Sequence, residues 1–150
     1  MSHVATIDIE VKDLDALGKA CEELGLELVK DQKRYKWYGS IVGGGQRIMP
    51  EGFTNDDAGK CEHVIRVKGK PTAYEIGLST RRDGRPGYAL LWDTWSGGYG
   101  IVQAVGGEKA QKLVQSYAAE VATKAAKKAG FRVVKRSVRS DGSIQIVTQR

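Results

Sequence analysis

A short segment of the chain alternates cations with aromatic side chains: Lys33, Arg34, Tyr35, Lys36, Trp37 and Tyr38 follow one another. Such a mixture can hold phosphates and stack bases on one surface, as proteins that bind single-stranded nucleic acids do. If the segment is instead a half-buried strand, Tyr35 and Trp37 point into the core, and Arg34 and Lys36 form a solvated face. Solvated charged faces are the commoner case, but both interpretations stay open.

Other cations could extend this surface if their strands lie beside it. They are Lys30, Arg66, Lys68, Arg81, Arg82, Arg85, Arg132, Lys135, Arg136 and Arg139. The net charge of +6 and the pI of about 9.3 raise the chance of a polyanionic partner, because cations that neutralise phosphates release counterions. The positive excess must cluster on one face before it indicates binding.

A second group of aromatic residues lies beside glycines. Trp92 and Trp95 precede Gly97 and Gly98, and Tyr99 lies between Gly98 and Gly100. These rings could form a hot spot for a protein partner, or they could fill one end of the core, which is the more common arrangement. Asp93 lies between the two tryptophans and could act as a general acid there. Strand alternation instead predicts that Asp93 points to solvent or into a turn.

Three further patterns in the sequence could support chemistry, but none of them is complete. Gly43-Gly44-Gly45-Gln46-Arg47 could cradle a phosphate, but it lacks the Gly-Lys-Ser/Thr ending of a P-loop, so a flexible connection is favoured. Cys61 and His63 could ligate a metal, but a closed zinc site needs about four ligands. No serine lies in a nucleophile elbow. We therefore expect no catalytic residue, no metal site and no cofactor, and a protein that is not an enzyme.

The composition is that of one folded domain. A chain of 150 residues with 41% apolar and 28% charged residues can bury a single core. No apolar run approaches the roughly 18 residues that span a bilayer, and the start has no secretory pattern, so we expect no membrane partner and a cytoplasmic location. Two cysteines cannot form a disulfide framework, and Cys21 lies on an apolar helical stripe, which predicts a buried, reduced thiol.

The first third of the chain has regular signals. Residues 4–12 alternate apolar and polar side chains, which predicts a half-buried strand. Asp13 is suited to cap a helix whose apolar residues include Leu17 and Cys21, and Gly25 is the expected left-handed stop. A short strand over 26–29 follows. The region from about 39 to 60 is irregular and glycine-rich, and we expect it to be mobile or functional.

The remainder predicts more strands and one long helix. Strands are expected over 63–68, 74–80, 88–95, 131–138 and 144–148, and a hairpin turn at Asp141-Gly142. The helix is expected over 108–129, with one stripe formed by Ala110, Leu113, Val114, Tyr117, Val121 and Ala125. The chain is therefore predicted to be a single α+β domain over residues 1–150: a curved antiparallel sheet with two helices packed on one face, and a C-terminal β-hairpin.

Several segments together resemble the Ycf35 family. They are the opening Met-Ser-His with Leu14 and Leu17, AYEIGL at 73–78, YALLWDTW at 88–95, and the terminal GF-x-V, DGSI and V-x-x-R pattern. The family occurs in cyanobacteria, algal plastids and some bacteriophages. The resemblance implies a small soluble α+β protein with no established activity, located in a host cytoplasm or a plastid stroma, and it assigns no catalytic residue. The glycine-rich insert and the basic tail depart from the family pattern.

These observations favour a non-enzymatic binding or adaptor protein that works with a protein partner or a larger assembly. The alternatives are a sequence-tolerant nucleic-acid-binding protein and an enzyme that acts on a small anionic substrate at the glycine-rich insert. The candidate binding residues are Lys33, Arg34, Tyr35, Lys36, Trp37, Arg81, Arg82, Arg85, Trp92 and Trp95.

Overall fold

A computed structural model describes residues 3–39 and 48–150. The strands are β1 Val4–Val11, β2 Leu26–Lys30, β3 His63–Val67, β4 Ile76–Thr80, β5 Tyr88–Asp93, β6 Arg132–Val138 and β7 Ile144–Gln149. The α-helices are α1 Leu14–Glu23, α2 Ile101–Ala104 and α3 Gln111–Lys128. Within the described ranges, no helix is both long and apolar enough to cross a membrane.

Five strands form one antiparallel sheet in the order β1-β5-β4-β3-β2, and β6 pairs with β7 in a separate hairpin. The α+β class, the antiparallel sheet and the C-terminal hairpin are thereby confirmed. The hairpin turns at Asp141 and Gly142, where Gly142 has a φ of 87° and the Asp141 carboxylate accepts the Ser143 amide. Glycine adopts such a positive φ without steric cost, which is why an Asp-Gly pair favours this turn.

Helix α1 begins and ends where its sequence indicates. The Asp13 carboxylate accepts a hydrogen bond from the Ala16 amide, and Gly25 has a φ of 73° just after the helix. The Tyr117 hydroxyl from α3 accepts the backbone amides of Lys12 and Asp13, and Lys124 forms a 2.8 Å ion pair with the Asp13 carboxylate. The Lys124 hydrogen bond is the largest of several contacts that lower the pKa of Asp13. One cap thus also joins the two long helices.

The helices cover one face of the sheet, as expected. Their buried side chains meet those of all five strands in one core, which includes Ile7, Leu17, Cys21, Leu26, Ile65, Ile76, Leu78, Leu90, Trp92, Ile101, Leu113 and Tyr117. Cys21 is fully buried and unpaired, and burial raises the pKa of its thiol to about 12. The reduced, buried thiol predicted for Cys21 is confirmed.

An additional short helix, α2, and the start of α3 differ from what the sequence predicts. The short helix α2 was not expected, and α3 begins at Gln111 rather than at residue 108. Gly106 and Gly107 have positive φ values of 96° and 110°, and Ala110 is left-handed at 51°. The chain turns here so that the Val105 carbonyl accepts amides from the first turn of α3. A non-helical turn closed by local backbone hydrogen bonds therefore replaces the first predicted helical turn.

The apolar stripe of α3 is buried only in its first half. Ala110, Leu113 and Tyr117 are buried, whereas Val121 is 38% exposed and Ala125 is exposed. The second half of the helix extends past the core and leaves a groove of about 560 Å³ between α3 and β1. Periodicity alone cannot separate a stripe that packs from one that continues beyond its neighbours.

The other face of the sheet is also covered. Ile76, Gly77, Leu78 and Ser79 of β4 are all buried, so β4 has no solvent-facing side. A second core of Val4, Tyr35, Ile48, Met49, Phe53, Val64 and Leu91 lies on this face. The described part of the irregular region, residues 48–60, supplies much of that layer. It is packed against the sheet rather than projecting as a loop.

Gly77 makes this second layer possible, because glycine has no side chain. A Cβ atom placed at Gly77 would lie 2.2 Å from Cδ1 of Tyr35, so the tyrosine ring rests directly on the backbone of β4. Tyr35 is 3% exposed, and its hydroxyl has no hydrogen-bond partner among the described residues. Burial raises the pKa of Tyr35 to about 12.

This contact predicts three stability changes. Tyr35→Ala should lower the free energy of unfolding by about 3–5 kcal/mol, because it removes a large buried side chain. Tyr35→Phe should be neutral or stabilising, because the lost hydroxyl is buried without a hydrogen-bond partner among the described residues.

Gly77→Ala should destabilise the natural chain strongly and the Tyr35→Ala variant much less, because the clash between the new methyl group and the Tyr35 ring is then absent.

Urea unfolding of the four variants, including the double variant, measures these values. A loss of more than 1 kcal/mol in Tyr35→Phe, or equal costs of Gly77→Ala in both backgrounds, would contradict this account of the contact.

Candidate functional site

The cation–aromatic segment runs across the second face of the sheet. Tyr35 is buried and Trp37 is half-buried, whereas Lys33, Arg34 and Lys36 are exposed. The Trp37 indole rests on Gly59, where an added Cβ would lie 2.6 Å from Nε1. The alternation expected of a half-buried segment is therefore present. Tyr35 therefore has no exposed ring face on which a base could stack. The cations of the segment are exposed, but its two central rings, Tyr35 and Trp37, pack against the protein.

Several cations of the candidate site already have partners. The Nζ atom of Lys33 lies 3.8 Å from Oδ1 of Asp31, and the Nζ atom of Lys36 donates a hydrogen bond to the Pro71 carbonyl. The Glu75 carboxylate accepts the Lys36 amide at 2.9 Å. Arg34 forms no ion pair within residues 3–39 and 48–150. The exposed charge of this segment is therefore partly compensated by its neighbours.

The arginines after β4 form a second, separate group. Arg81 forms a two-point ion pair with Asp83, and this hydrogen-bonded contact raises the pKa of Arg81 and lowers that of Asp83. Arg82 lies 4.7 Å above the Phe53 ring and 3.6 Å from the Asp57 carboxylate.

Lys36 contacts residues that precede β4, whereas Arg82 follows the end of β4. A strand of roughly 16 Å therefore separates the cations of the segment from the arginines after β4. Arg85, which follows Arg82, is exposed. The structure separates Arg81, Arg82 and Arg85 from the cations of the segment, whereas Lys36 lies with Arg66 and Lys68 around one groove.

The positive charge concentrates elsewhere, at the end of the chain. Residues 124–150 contain eight Lys and Arg residues and one acidic residue, Asp141. The preceding 123 residues contain sixteen basic and seventeen acidic residues. The whole positive excess therefore lies in the end of α3 and in the β6–β7 hairpin. We call residues 124–150 the C-terminal arm.

The arm lies outside both cores and is held by charged contacts. Arg136 donates to both carboxylate oxygens of Glu23 at 2.8 and 2.9 Å and to Glu120 at 2.7 Å. Partial burial opposes the charge of Arg136, but these hydrogen bonds raise the pKa of its guanidinium overall. At the other end of the arm, Lys124 is paired with Asp13. These three ion pairs connect the arm to α1, to its N-cap and to the preceding part of α3.

The remaining cations of the arm have no acidic partner among the described residues, although Arg132 donates to Gln149 and Arg150 lies over the Phe131 ring. These six cations are Lys127, Lys128, Arg132, Lys135, Arg139 and Arg150. Lys135 is paired across the hairpin with Val147, and Arg136 with Ile146, so Lys135 and Val147 point away from the face that carries Arg136. The outer face of the hairpin therefore presents cations beside an exposed valine.

The second aromatic group is divided by the structure. Trp92 is 1% exposed and belongs to the helix-side core, so it offers no surface to a partner. Trp95, Tyr99 and Tyr38 are 41%, 49% and 43% exposed. The ring centroids of Tyr38 and Trp95 lie 5.5 Å apart, and those of Trp95 and Tyr99 lie 5.9 Å apart. Only part of the predicted hot spot forms, and Tyr38 joins it from a distant segment.

Asp93 takes the second of its two expected positions, pointing into the turn that follows β5. It is 0% exposed, rather than pointing to solvent, and its two oxygens accept the backbone amides of Tyr38 and Trp95 at 3.1 and 2.9 Å. Strand alternation placed it on the correct side of β5, opposite Trp92. The second layer covers that side, which alternation could not reveal.

The remaining candidates show no assembled chemistry. His63 Nδ1 accepts the Asp31 amide, and Cys61 Sγ contacts the Gln32 carbonyl. Burial is the main cause that raises the pKa of the Cys61 thiol to about 12. No group of three metal-ligating side chains occurs in the described ranges. Gly43 to Arg47, the phosphate-cradle candidate, lies outside the described residues.

The sequence contained the signal for the arm, but the signal was diluted. Arg132, Lys135, Arg136 and Arg139 were expected only to extend the cation–aromatic segment, and the charge was counted over the whole chain. The charge of residues 124–150 taken alone distinguishes the arm from the rest of the chain. Lys70 carried no such signal, and nothing in the sequence joined Tyr38 to Trp95 and Tyr99, because the two segments are far apart in the chain.

A family model described as a protein of unknown function (DUF1257) matches residues 20–147, from α1 to β7. No curated protein and no solved structure matches the chain.

Proposed function

The chain belongs to the family described as a protein of unknown function (DUF1257), and we propose that it is a non-enzymatic binding protein whose C-terminal arm docks on nucleic acid. The observation that carries this proposal is the charge division: the arm holds the entire positive excess, and the rest of the chain has slightly more acidic than basic residues. A cationic surface gains affinity for a phosphate backbone by releasing counterions. A near-neutral body gains nothing comparable.

The shape of the arm suits a duplex. A two-stranded β-ribbon fits the major groove of B-DNA, which is about 12 Å wide. Strand β6 has seven residues and is therefore roughly 23 Å long. Arg132 and Lys135 are exposed along it, and Arg139 lies at the turn. These contacts would go to phosphates, so binding should depend weakly on base sequence.

The anchoring of the arm supports this role. A two-stranded hairpin alone is marginally stable in water. Here the bonds from Arg136 to Glu23 and Glu120 fix the inner face, while the outer face keeps its cations. Positioned cations lose less conformational freedom on binding than those on a free tail. The arm is therefore a prearranged cationic surface.

The finer assignment to the Ycf35 group remains part of the proposal. Its support is the set of motifs at both ends and in the β4–β5 region. With it we propose a cyanobacterial, plastid or phage setting, in which the protein acts in a host cytoplasm or a plastid stroma.

Duplex binding tests the role of the arm. A variant with Arg132→Gln, Lys135→Gln and Arg139→Gln should bind a labelled 20-base-pair duplex much more weakly in fluorescence anisotropy at low salt. The slope of log affinity against log salt concentration should fall by roughly 2 to 3, because about 0.9 is lost for each phosphate contact. Salt titrations of both proteins measure it.

The matched control removes three cations from the sequence-predicted surface: Lys33→Gln, Arg34→Gln and Arg85→Gln. This variant has the same net charge as the arm variant and should keep nearly all of the duplex affinity. Equal losses in both variants would show that only net charge matters. No duplex binding by the unaltered chain at low salt would exclude the proposal.

A protein-adaptor role is the second candidate, and one observation favours it. The groove between α3 and β1 is lined mainly by apolar side chains, including Ile9, Val114, Tyr117, Ala118, Val121, Ala122 and Ala125. Such a groove suits the apolar face of an amphipathic helix from a partner protein. The partner would then use a surface that the arm does not contribute.

Val121→Lys tests this candidate. Val121 is 38% exposed, so the change should leave the fold intact while placing a charge in the groove. Pull-down from a host extract should recover a specific partner with the unaltered chain and with the arm variant, but not with Val121→Lys. Recovery of the same partner by Val121→Lys would remove the groove from consideration.

A further inference from the structure

The three exposed rings form a continuous row, which we call the aromatic platform: Tyr38, Trp95 and Tyr99. Tyr74 continues the row beneath Tyr99, with ring centroids 5.2 Å apart. Tyr74 is 7% exposed and therefore supports the platform from inside the core. Three large rings that are each more than 40% exposed on one surface are unusual, because aromatic side chains gain most from burial.

A buried carboxylate holds two segments of the platform together. Asp93 accepts the amide of Tyr38 with one oxygen and the amide of Trp95 with the other. These two residues are 57 positions apart in the sequence, so the carboxylate sets the distance between their rings. A fully buried carboxylate is costly unless it is hydrogen-bonded. Its use here fixes the geometry of surface residues rather than that of the core.

The backbone of the platform is strained. Ser96, Gly97, Gly98 and Tyr99 all have left-handed conformations, with φ between 52° and 64°. Two of the four are not glycine, and a left-handed conformation costs such residues roughly 1–2 kcal/mol each. A Cβ at Gly98 would lie 2.3 Å from Cγ2 of Ile101, so the turn is also packed tightly against α2. Strain of this kind is concentrated at functional sites.

A cationic groove lies beside the platform. It has a volume of about 300 Å³, and its lining includes Lys36, Arg66, Lys68 and Lys70. Its acidic residues are Glu27, which pairs with Arg66, and Glu75, which accepts the Lys36 amide. Lys68 and Lys70 have no ion-pair partner within the described ranges. Lys70 reaches the platform, since a Cβ at Gly100 would lie 3.6 Å from its Cδ.

We propose that the platform and this groove form a second binding site, for a single-stranded nucleic acid. Unpaired bases stack on the exposed rings, and Lys68 and Lys70 contact the adjoining phosphates. Rings beside a cationic groove are the combination that single-strand binding proteins use. The adjacent cations favour this ligand over a neutral peptide, which would need the rings alone. The site shares the ligand class of the proposed function but contains no residue of the C-terminal arm.

Tryptophan fluorescence tests the site, because stacking of a base on Trp95 should quench its emission. An unlabelled eight-nucleotide oligothymidine should quench the unaltered chain and the Trp37→Phe variant, but leave Trp95→Phe nearly unchanged. Trp92 is 1% exposed and should not respond. Tyr99→Ala should weaken binding of the same oligomer by on the order of tenfold, and Lys70→Gln should reduce the salt dependence. Circular dichroism checks that each variant is folded.

The arm variant separates this inference from the proposed function. It should keep the Trp95 quenching by oligothymidine while losing duplex affinity. Quenching without duplex binding by the unaltered chain would retain the platform site and reject the arm. Duplex binding without any effect of oligothymidine on Trp95 would overturn the platform site alone. Quenching by a proline-rich peptide but not by oligothymidine would also overturn it and assign the rings to protein recognition.

Discussion

The contact between Tyr35 and the backbone of β4 at Gly77 is the interaction on which the arrangement of the surface depends. The central strands are buried on both faces, so the sheet needs a second layer opposite the helices. Glycine at position 77 leaves room for an aromatic ring to lie flat on the strand. Once Tyr35 is fixed there, the chain on either side must follow the sheet, with its cations outward. The same path carries Tyr38 to Asp93.

This layer explains why the most suggestive segment of the sequence is mainly structural. The rings at Tyr35 and Trp37 are used to cover the sheet, and Lys36 is bonded to the connection before β4. The exposed rings lie on the aromatic platform, and most cations without an acidic partner among the described residues lie in the adjoining groove and on the C-terminal arm. Covering the second face thus decides which aromatic residues remain for binding. The body is close to neutral, and the arm alone carries the excess charge.

Local signals made much of the fold predictable. The Asp13 cap, the Gly25 stop and the Asp141-Gly142 turn each depend on neighbouring residues, and each formed as expected. The start of α3 and the short helix α2 did not follow the helical periodicity, because the chain turns at Gly106 and Gly107, where both φ values are positive.

The sequence drew attention to the three rings of the aromatic platform in two separate groups, but it could not show that they meet. Their meeting requires Asp93 to join two segments 57 residues apart, and alternation predicts only the side of β5 on which Asp93 lies. The apolar run Tyr88–Trp92 of β5 was the available sign of a doubly covered strand, since strands buried on both faces read as continuous runs without polar alternation.

The central claim is that the arm, and not the cation–aromatic segment, is the surface that meets a duplex. An amide chemical-shift titration of the isotope-labelled chain with a short DNA duplex tests this most directly. We expect the largest shifts in residues 124–150, with those around Arg132, Lys135 and Arg139 moving first, and little change from Lys33 to Trp37. Shifts centred on Lys33 to Trp37 and on Arg81 to Arg85, with the arm unaffected, would contradict the account.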